Sequence, residues 1–268
     1  MIYQQMLPPP ALAHYVRYFW TLDDPAGPVK QHTFGPLADG CPGLIFQPAA
    51  QGRFYDQHYK PLPELFVYGQ SVQQTSLLFC GQFRVTGACL WPHTLKAITG
   101  LDACELTDAC LDLTTPAPEL LEGLLASEPI DQLMGHLTRY LLNQIQHHSY
   151  PLSRATGHVI SQLMQTGGSH SLMAIRTHLG LSERSVERLF QQQVGVSPKR
   201  FATICRFQDS LDHLTRSNST PLIDVAYSNG YADQAHFNRC FKALVGQTPT
   251  QFRQLAASRV IPFGRVLH

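Results

Sequence analysis

Two stretches decide the fold: "LGLSERSVERLFQQQVGVSP", Leu179 to Pro198, and "NGYADQAHFNRCFKALVGQTP", Asn229 to Pro249. Each has a glycine turn, a polar segment ending in Arg-x-Phe, then Val-Gly-x-Ser/Thr-Pro. Aligning Gly180 with Gly230 matches Ile175 to Val225 upstream. Beyond the turn Arg188 matches Arg239, Phe190 matches Phe241, Gly195 matches Gly246, Pro198 matches Pro249 and Phe201 matches Phe252, so the second copy carries one extra turn residue. Each copy reads as a helix, a tight turn and a second helix. Ser182 and Asp233 stand where an N-cap belongs, and Gly180 and Gly230 supply the backbone freedom that ends the preceding helix. This is helix-turn-helix grammar, written twice.

Between the copies, "SPKRFATICRFQDSLDHLTRS" offers Phe201, Ile204, Cys205, Leu211 and Leu214 as the apolar positions of a long connecting helix. About 18 residues at 1.5 Å each give a rod of about 27 Å. Such a rod suits two units set about one DNA turn, roughly 34 Å, apart.

Charge divides the same way. Residues 1–168 hold 8 Lys+Arg against 13 Asp+Glu, and residues 169–268 hold 12 against 6. A basic second half behind an acidic first half points to a polyanionic partner for the second alone. With 268 residues and 44% hydrophobic side chains, two ordinary cores are expected. The apolar runs are too short to span a bilayer and the N-terminus lacks a signal pattern, so a cytoplasmic, nucleoid-associated protein with no membrane partner is expected. Seven cysteines without Cys-x-x-Cys spacing read as reduced thiols. Cys80 and Cys89, on strand-like segments, read as small buried hydrophobes, with a redox or metal sensor as the alternative.

From Gln31 to about Leu90 short β-type runs alternate with Gly/Pro punctuation: "GLIFQP", "GRFYDQ", "ELFVYGQ", "TSLLFCGQF" and "RVTGACLW". They predict a β-rich sandwich or barrel, cupin-like, rather than βαβ units. Upstream, "ALAHYVRYFWTL" fits a helix or a strand. After Pro116 the period becomes helical, with Ile130, Leu133, Met134, Leu137, Leu141 and Ile145 on one stripe. Packing against the β domain and pairing with a second copy both satisfy such a stripe, and these six residues are the dimerisation candidates. A further helix, "SYPLSRATGHVISQLMQTGG", ends at Gly167-Gly168, the expected joint. The expected division is a β-rich regulatory domain over 1–116, a helical dimerisation and linker segment over 117–168, an all-α DNA-binding domain over 169–256 and a tail over 257–268.

The stretch from about Ser171 to Arg253 resembles the DNA-binding domain of the AraC/XylS family of bacterial transcription regulators, above all in "GYADQAHFNRCFKALVGQTPTQFR". The N-terminal half more loosely resembles the β-rich regulatory domain that precedes it in that family. The resemblance implies a seven-helix DNA-binding domain and a sequence-specific regulator. Its expected partners are double-stranded DNA, a second copy of the chain and RNA polymerase, with control by a small molecule or partner on the N-terminal domain. The effector is left open.

In "SERSVERLF", Val186, Leu189 and Phe190 form the packing face, leaving Arg184, Glu187 and Arg188 as base-contact candidates. Arginine takes guanine bidentately and glutamate accepts from the cytosine amino group. The plain alternative is a solvated helix with intrahelical ion pairs. In the second copy Tyr231, Phe237, Cys240, Phe241 and Leu244 form the packing set, leaving Gln234, His236, Asn238 and Arg239 for bases. Lys199, Arg200 and Lys242 are expected to anchor phosphates, adding affinity without reading sequence. One position departs from the family pattern: Arg176 stands where a small residue is usual, while its counterpart Ala226 keeps the pattern. Arg176 either snorkels to solvent, with a phosphate as a further target, or loosens the first unit.

Thirteen histidines invite a metal hypothesis, but none forms a ligand-spaced pair among the strands. Neither a metal site nor a cofactor is expected, and no catalytic motif appears. The alternatives are a DNA-alkylation repair protein with a similar C-terminal module, which needs a four-cysteine zinc site absent here, and a ligand-free module controlled by another protein.

Overall fold

The computed structural model describes residues 2–24, 32–34, 38–72, 77–79, 82–216 and 220–256. Cys80 and the expected tail over 257–268 lie outside them.

The N-terminal half is antiparallel β structure. Its strands are β1 (Ile2–Met6), β2 (Val16–Asp24), β3 (His32–Phe34), β4 (Gly43–Phe46), β5 (Leu65–Tyr68), β6 (Leu77–Phe79), β7 (Phe83–Leu90) and β8 (Cys110–Asp112). Six form one sheet in the order β1-β2-β7-β4-β5-β8, and β3 pairs with β6 in a small second sheet. The ambiguous segment "ALAHYVRYFWTL" resolves into a 3-10 turn, Pro10–Leu12, followed by β2. "GRFYDQ" forms no strand; its Tyr55 makes only isolated bridges to Pro61 and Leu78.

Both faces of the large sheet are buried, following the two-residue period of its strands. Phe19, Leu44, Ala88 and Leu90 point to one face, and Trp20, Leu22, Val85 and Cys89 to the other. The second face is covered by Phe54 and Phe79, whose rings meet edge-on at 5.5 Å. The first is covered by helices α1 (Leu95–Thr99), α2 (Pro118–Leu125) and α3 (Ile130–His148).

Of the two ways to satisfy the α3 stripe, its side chains show packing against the β domain. Leu133, Leu137 and Leu141 are at most 2% exposed in that core, and Met134 and Ile145 pack against it, while Ile130 is half-buried. The stripe is used up inside the chain, because α3 closes the open face of the sheet. Each fully buried leucine there contributes about 1.5–3 kcal/mol.

The remaining helices are α4 (Arg154–Gln165), α5 (Leu172–His178), α6 (Glu183–Gln193), α7 (Pro198–Arg216), α8 (Leu222–Ser228), α9 (Gln234–Val245) and α10 (Pro249–Ala256). Helix α4, expected within the linker, packs Val159, Ile160 and Leu163 into a core with Phe190 and Phe201. Gly168 closes α4 through a 2.7 Å bond from its N–H to the Leu163 carbonyl, and a Cβ there would meet the Ala202 carbonyl of α7 at 2.0 Å. The chain passes between its two halves at residues 149–153, between α3 and α4. Among the described residues no helix is long and apolar enough to cross a membrane.

Candidate nucleic-acid interface

The two repeats fold into the same local geometry. In the first, the Leu181 N–H donates to the Arg176 carbonyl at 3.0 Å, with Gly180 between them at φ +64°. In the second, the Tyr231 N–H donates to the Ala226 carbonyl at 3.0 Å, with Gly230 at φ +70°. This closure satisfies carbonyls that a helix end leaves free, and needs a left-handed residue that glycine adopts without strain. The following helix is capped by a side chain in each case. Ser182 Oγ accepts from the Ser185 N–H at 3.2 Å, and Asp233 Oδ1 accepts from the His236 N–H at 2.6 Å.

Helix α7 is the shared spine. Phe201, Ala202 and Cys205 enter the first unit's core with Ile175, Val186 and Phe190. Ile204, Phe207, Leu211 and Leu214 enter the second unit's core with Val225, Phe237, Phe241 and Phe252. Its 19 residues match the expected rod. Because both cores grip the same helix, neither unit moves relative to it without losing buried apolar surface. Leu189 and Cys240, expected in the packing sets, are only half-buried.

On the outer faces Arg184, Arg188, Lys199, Arg239 and Lys242 are exposed, while Glu187 and Gln234 are half-buried. The intrahelical ion pairs of the plain alternative are not formed: among the described residues Glu183 pairs with Arg176 instead. Arg176 thus sends its guanidinium across the turn to Glu183 in the first turn of α6, within the same unit. Three other candidates sit differently from the sequence expectation. His236 folds back so that its Nδ1 accepts the Ala232 N–H at 3.4 Å and its ring meets Tyr231 edge-on at 5.6 Å. Asn238 is half-buried, with its Oδ1 enclosed and without a partner. Arg200 donates to the Val72 carbonyl of the N-terminal half.

Sequence reasoning missed Arg206, on α7. Its Nη2 donates to the Gly168 carbonyl at 3.2 Å and its guanidinium lies 5.7 Å from the centre of the Tyr231 ring, tying the end of α4 to the turn of the second unit. It also missed how the halves dock. Thr107 Oγ1 donates to the Gly195 carbonyl at 2.7 Å, and Gln208 Nε2 donates to the Ala38 carbonyl at 2.6 Å. Ala38 is buried in the second unit's core, and Val72 packs against both units. The third omission lies inside the β domain, where Asp39, Cys41 and Cys89 bring one oxygen and two sulfurs within 4.8 Å of one another. Cys89 carries no ligand spacing in the sequence because Asp39 and Cys41 lie far from it along the chain.

Comparison with known proteins matches residues 175–255 to a helix-turn-helix domain family and residues 4–112 to a domain of unknown function, DUF6597. The HTH-type transcriptional activator RhaS of Escherichia coli is 32% identical over 81 residues, 30% of this chain and 29% of RhaS. An uncharacterized HTH-type transcriptional regulator of Staphylococcus aureus is 25% identical over 169 residues, 62% of this chain and 23% of that protein. The chain thus spans less than a third of the length of these curated relatives. Among solved structures, ToxT from Vibrio cholerae superimposes with a TM-score of 0.48 at 12% identity, covering 88% of this chain and 98% of ToxT. With repeated helix-turn-helix units on one spine and the family match over 175–255, the C-terminal part of this chain is a helix-turn-helix domain of the AraC type.

Proposed function

We propose that this chain is a sequence-specific, DNA-binding transcription regulator whose two helix-turn-helix units read successive major-groove faces. The observation that carries the reading is the placement of exposed cations on both of two units fixed to one helix: the matched pair Arg188 on α6 and Arg239 on α9, joined by Arg184 on α6 and Lys242 on α9. Arg188 and Arg239 are the base readers, with Gln234 and Glu187 beside them. Lys199 and Lys242 hold phosphates. His236 and Asn238 shape the second unit's turn and helix rather than reach bases. No catalysis enters this function.

Control comes from the N-terminal domain, because the loop carrying Ala38 and the Val72 carbonyl touch the same spine that positions both readers. A ligand that shifts this docking shifts the placement of the readers, provided it binds the two arrangements with different affinity.

Selection of bound fragments from random duplex DNA, followed by affinity measurements, tests the reading. Arg188→Ala and Arg239→Ala should each weaken binding to the selected site by about 1–3 kcal/mol and relax base preference at one position. Their unfolding free energies should move by no more than about 0.5 kcal/mol. Lys242→Ala should weaken all sequences alike and lower the salt slope by about 1. Variants destabilised as much as they are binding-defective would show that these arginines are scaffold.

A further inference from the structure

One polar cluster lies within the second buried face of the large sheet. Arg17 on β2, Asp39 and Cys41 in the loop before β4, and Cys89 on β7 converge there. Strand order brings them together: β7 lies between β2 and β4, and Cys89 is paired across to Tyr18 on one side and Gly43 on the other. Cys41 and Cys89 are each 2% exposed, while Asp39 is half-buried and stands at the edge of the cluster. Arg17 Nη1 donates to Cys41 Sγ at 3.1 Å, and the Cys41 N–H donates to Asp39 Oδ1 at 2.9 Å.

A carboxylate and two thiols in a hydrophobic sandwich need a reason, since buried polar groups cost free energy unless they are partnered. Arg17 supplies one positive charge opposite three groups able to carry a negative one. A divalent cation closes that count. Metal–sulfur bonds of about 2.3 Å and metal–oxygen bonds of about 2.0–2.2 Å put tetrahedral ligand atoms about 3.5–3.8 Å apart, inside the spread seen here. Two sulfurs select a thiophilic ion over magnesium or calcium. Arg17 then serves as the outer-shell donor that orients one sulfur.

The same loop reaches the DNA-binding half. Gly40 adopts φ +76°, and a Cβ on it would lie 3.0 Å from the Phe201 ring of α7. Its carbonyl accepts from Gln70 Nε2 at 2.6 Å, and the neighbouring Ala38 carbonyl accepts from Gln208 of α7. We propose that Asp39, Cys41 and Cys89 form a three-ligand site for a thiophilic divalent metal ion such as Zn(II), with an open fourth position, and that its occupancy acts on α7 through Gly40 and Ala38. The metal site stands on the cluster alone; its regulatory meaning rests on the function proposed above.

Cobalt(II) titration of the reduced, chelator-treated full chain tests the site, with zinc as competitor. One equivalent should bind with thiolate-to-cobalt charge-transfer absorption and d–d bands of tetrahedral intensity, and zinc should abolish both. Cys41→Ser and Cys89→Ser should each lose the charge-transfer band, whereas Cys104→Ser, at an exposed thiol, should keep it. Arg17→Lys should weaken binding by about 10–100-fold. Hydrogen exchange of the α7 amides around Ile204 to Gln208 should change when zinc is added to the wild-type chain. A wild-type chain that gives no tetrahedral cobalt spectrum overturns the site whether or not the variants fold, and so does one that forms a Cys41–Cys89 disulfide with peroxide but takes up no cobalt. Metal uptake without a change in α7 overturns the coupling. Neither readout contains DNA, so a chain that binds metal but selects no DNA fragment sinks the proposed function alone.

Discussion

The two helix-turn-helix units share a turn, a capping scheme and a spine, yet differ in what fills them. The second holds linked aromatic rings, with Phe241 5.3 Å from Phe207, 5.6 Å from Phe237 and 5.4 Å from Phe252. In the first, Phe190 meets Phe201 at 6.0 Å and aliphatic side chains from α4 complete the core. The matched positions Arg176 and Ala226 express the contrast most sharply. Ala226 is 0% exposed, so its helix lies flush against its neighbours. Arg176 keeps its backbone in the same turn but sends its charge to Glu183 on the next helix. A repeated local pattern therefore does not require a repeated core: closure of the turn is a backbone matter, and the fill is negotiated with whichever elements lie alongside.

Transplanting the difference gives the largest expected effect. Ala226→Arg should destabilise the second unit by about 3–5 kcal/mol, because no acidic residue matches Glu183 there and a buried charge would be left unpaired. Denaturant unfolding followed at both units would read it, and a cost below 1 kcal/mol would mean that the second core is as permissive as the first. Next come the caps. Ser182→Ala and Asp233→Ala should each cost about 1 kcal/mol, the ordinary value for a lost N-cap. Equal losses in thermal unfolding would show that the turns are energetically as well as geometrically alike, and a loss confined to one would break the symmetry. The smallest effect is expected from Arg176→Ala. Glu183 is 75% exposed at its side chain, so solvent screens the pair and its removal should change stability by about 0–1 kcal/mol. A larger loss, measured by the same unfolding, would assign Arg176 a packing role.

The second repeat was the more legible in sequence because its packing residues, Tyr231, Phe237 and Phe241, are large and aromatic at helical spacing. Among the candidate readers, Arg184, Arg188 and Arg239 could be placed outward because their neighbours two residues away, Val186, Phe190, Phe237 and Phe241, fill the cores. His236 and Asn238 could not. The ring of His236 turns back on Tyr231 and the cap of its own helix, a choice made by side-chain geometry that residue type does not reveal. In the β domain β4, β5, β6 and β7 were legible as short apolar runs, whereas β1, β3, β8 and the partner of each strand were not.

By itself the sequence determined what short-range physics controls: helix periods, N-caps at Ser182 and Asp233, left-handed turns at Gly180 and Gly230, and hence two helix-turn-helix units on one long helix. Tertiary structure alone decided that the stripe of α3 closes the β sheet rather than waiting for a second copy, that α4 belongs to the first unit, and that Arg200 meets Val72. It also decided that Arg17, Asp39, Cys41 and Cys89 meet at all. The reason is common to all of these. An apolar stripe or a thiol states only that it needs a partner, and the partner is chosen by sheet order and packing between residues far apart in the chain.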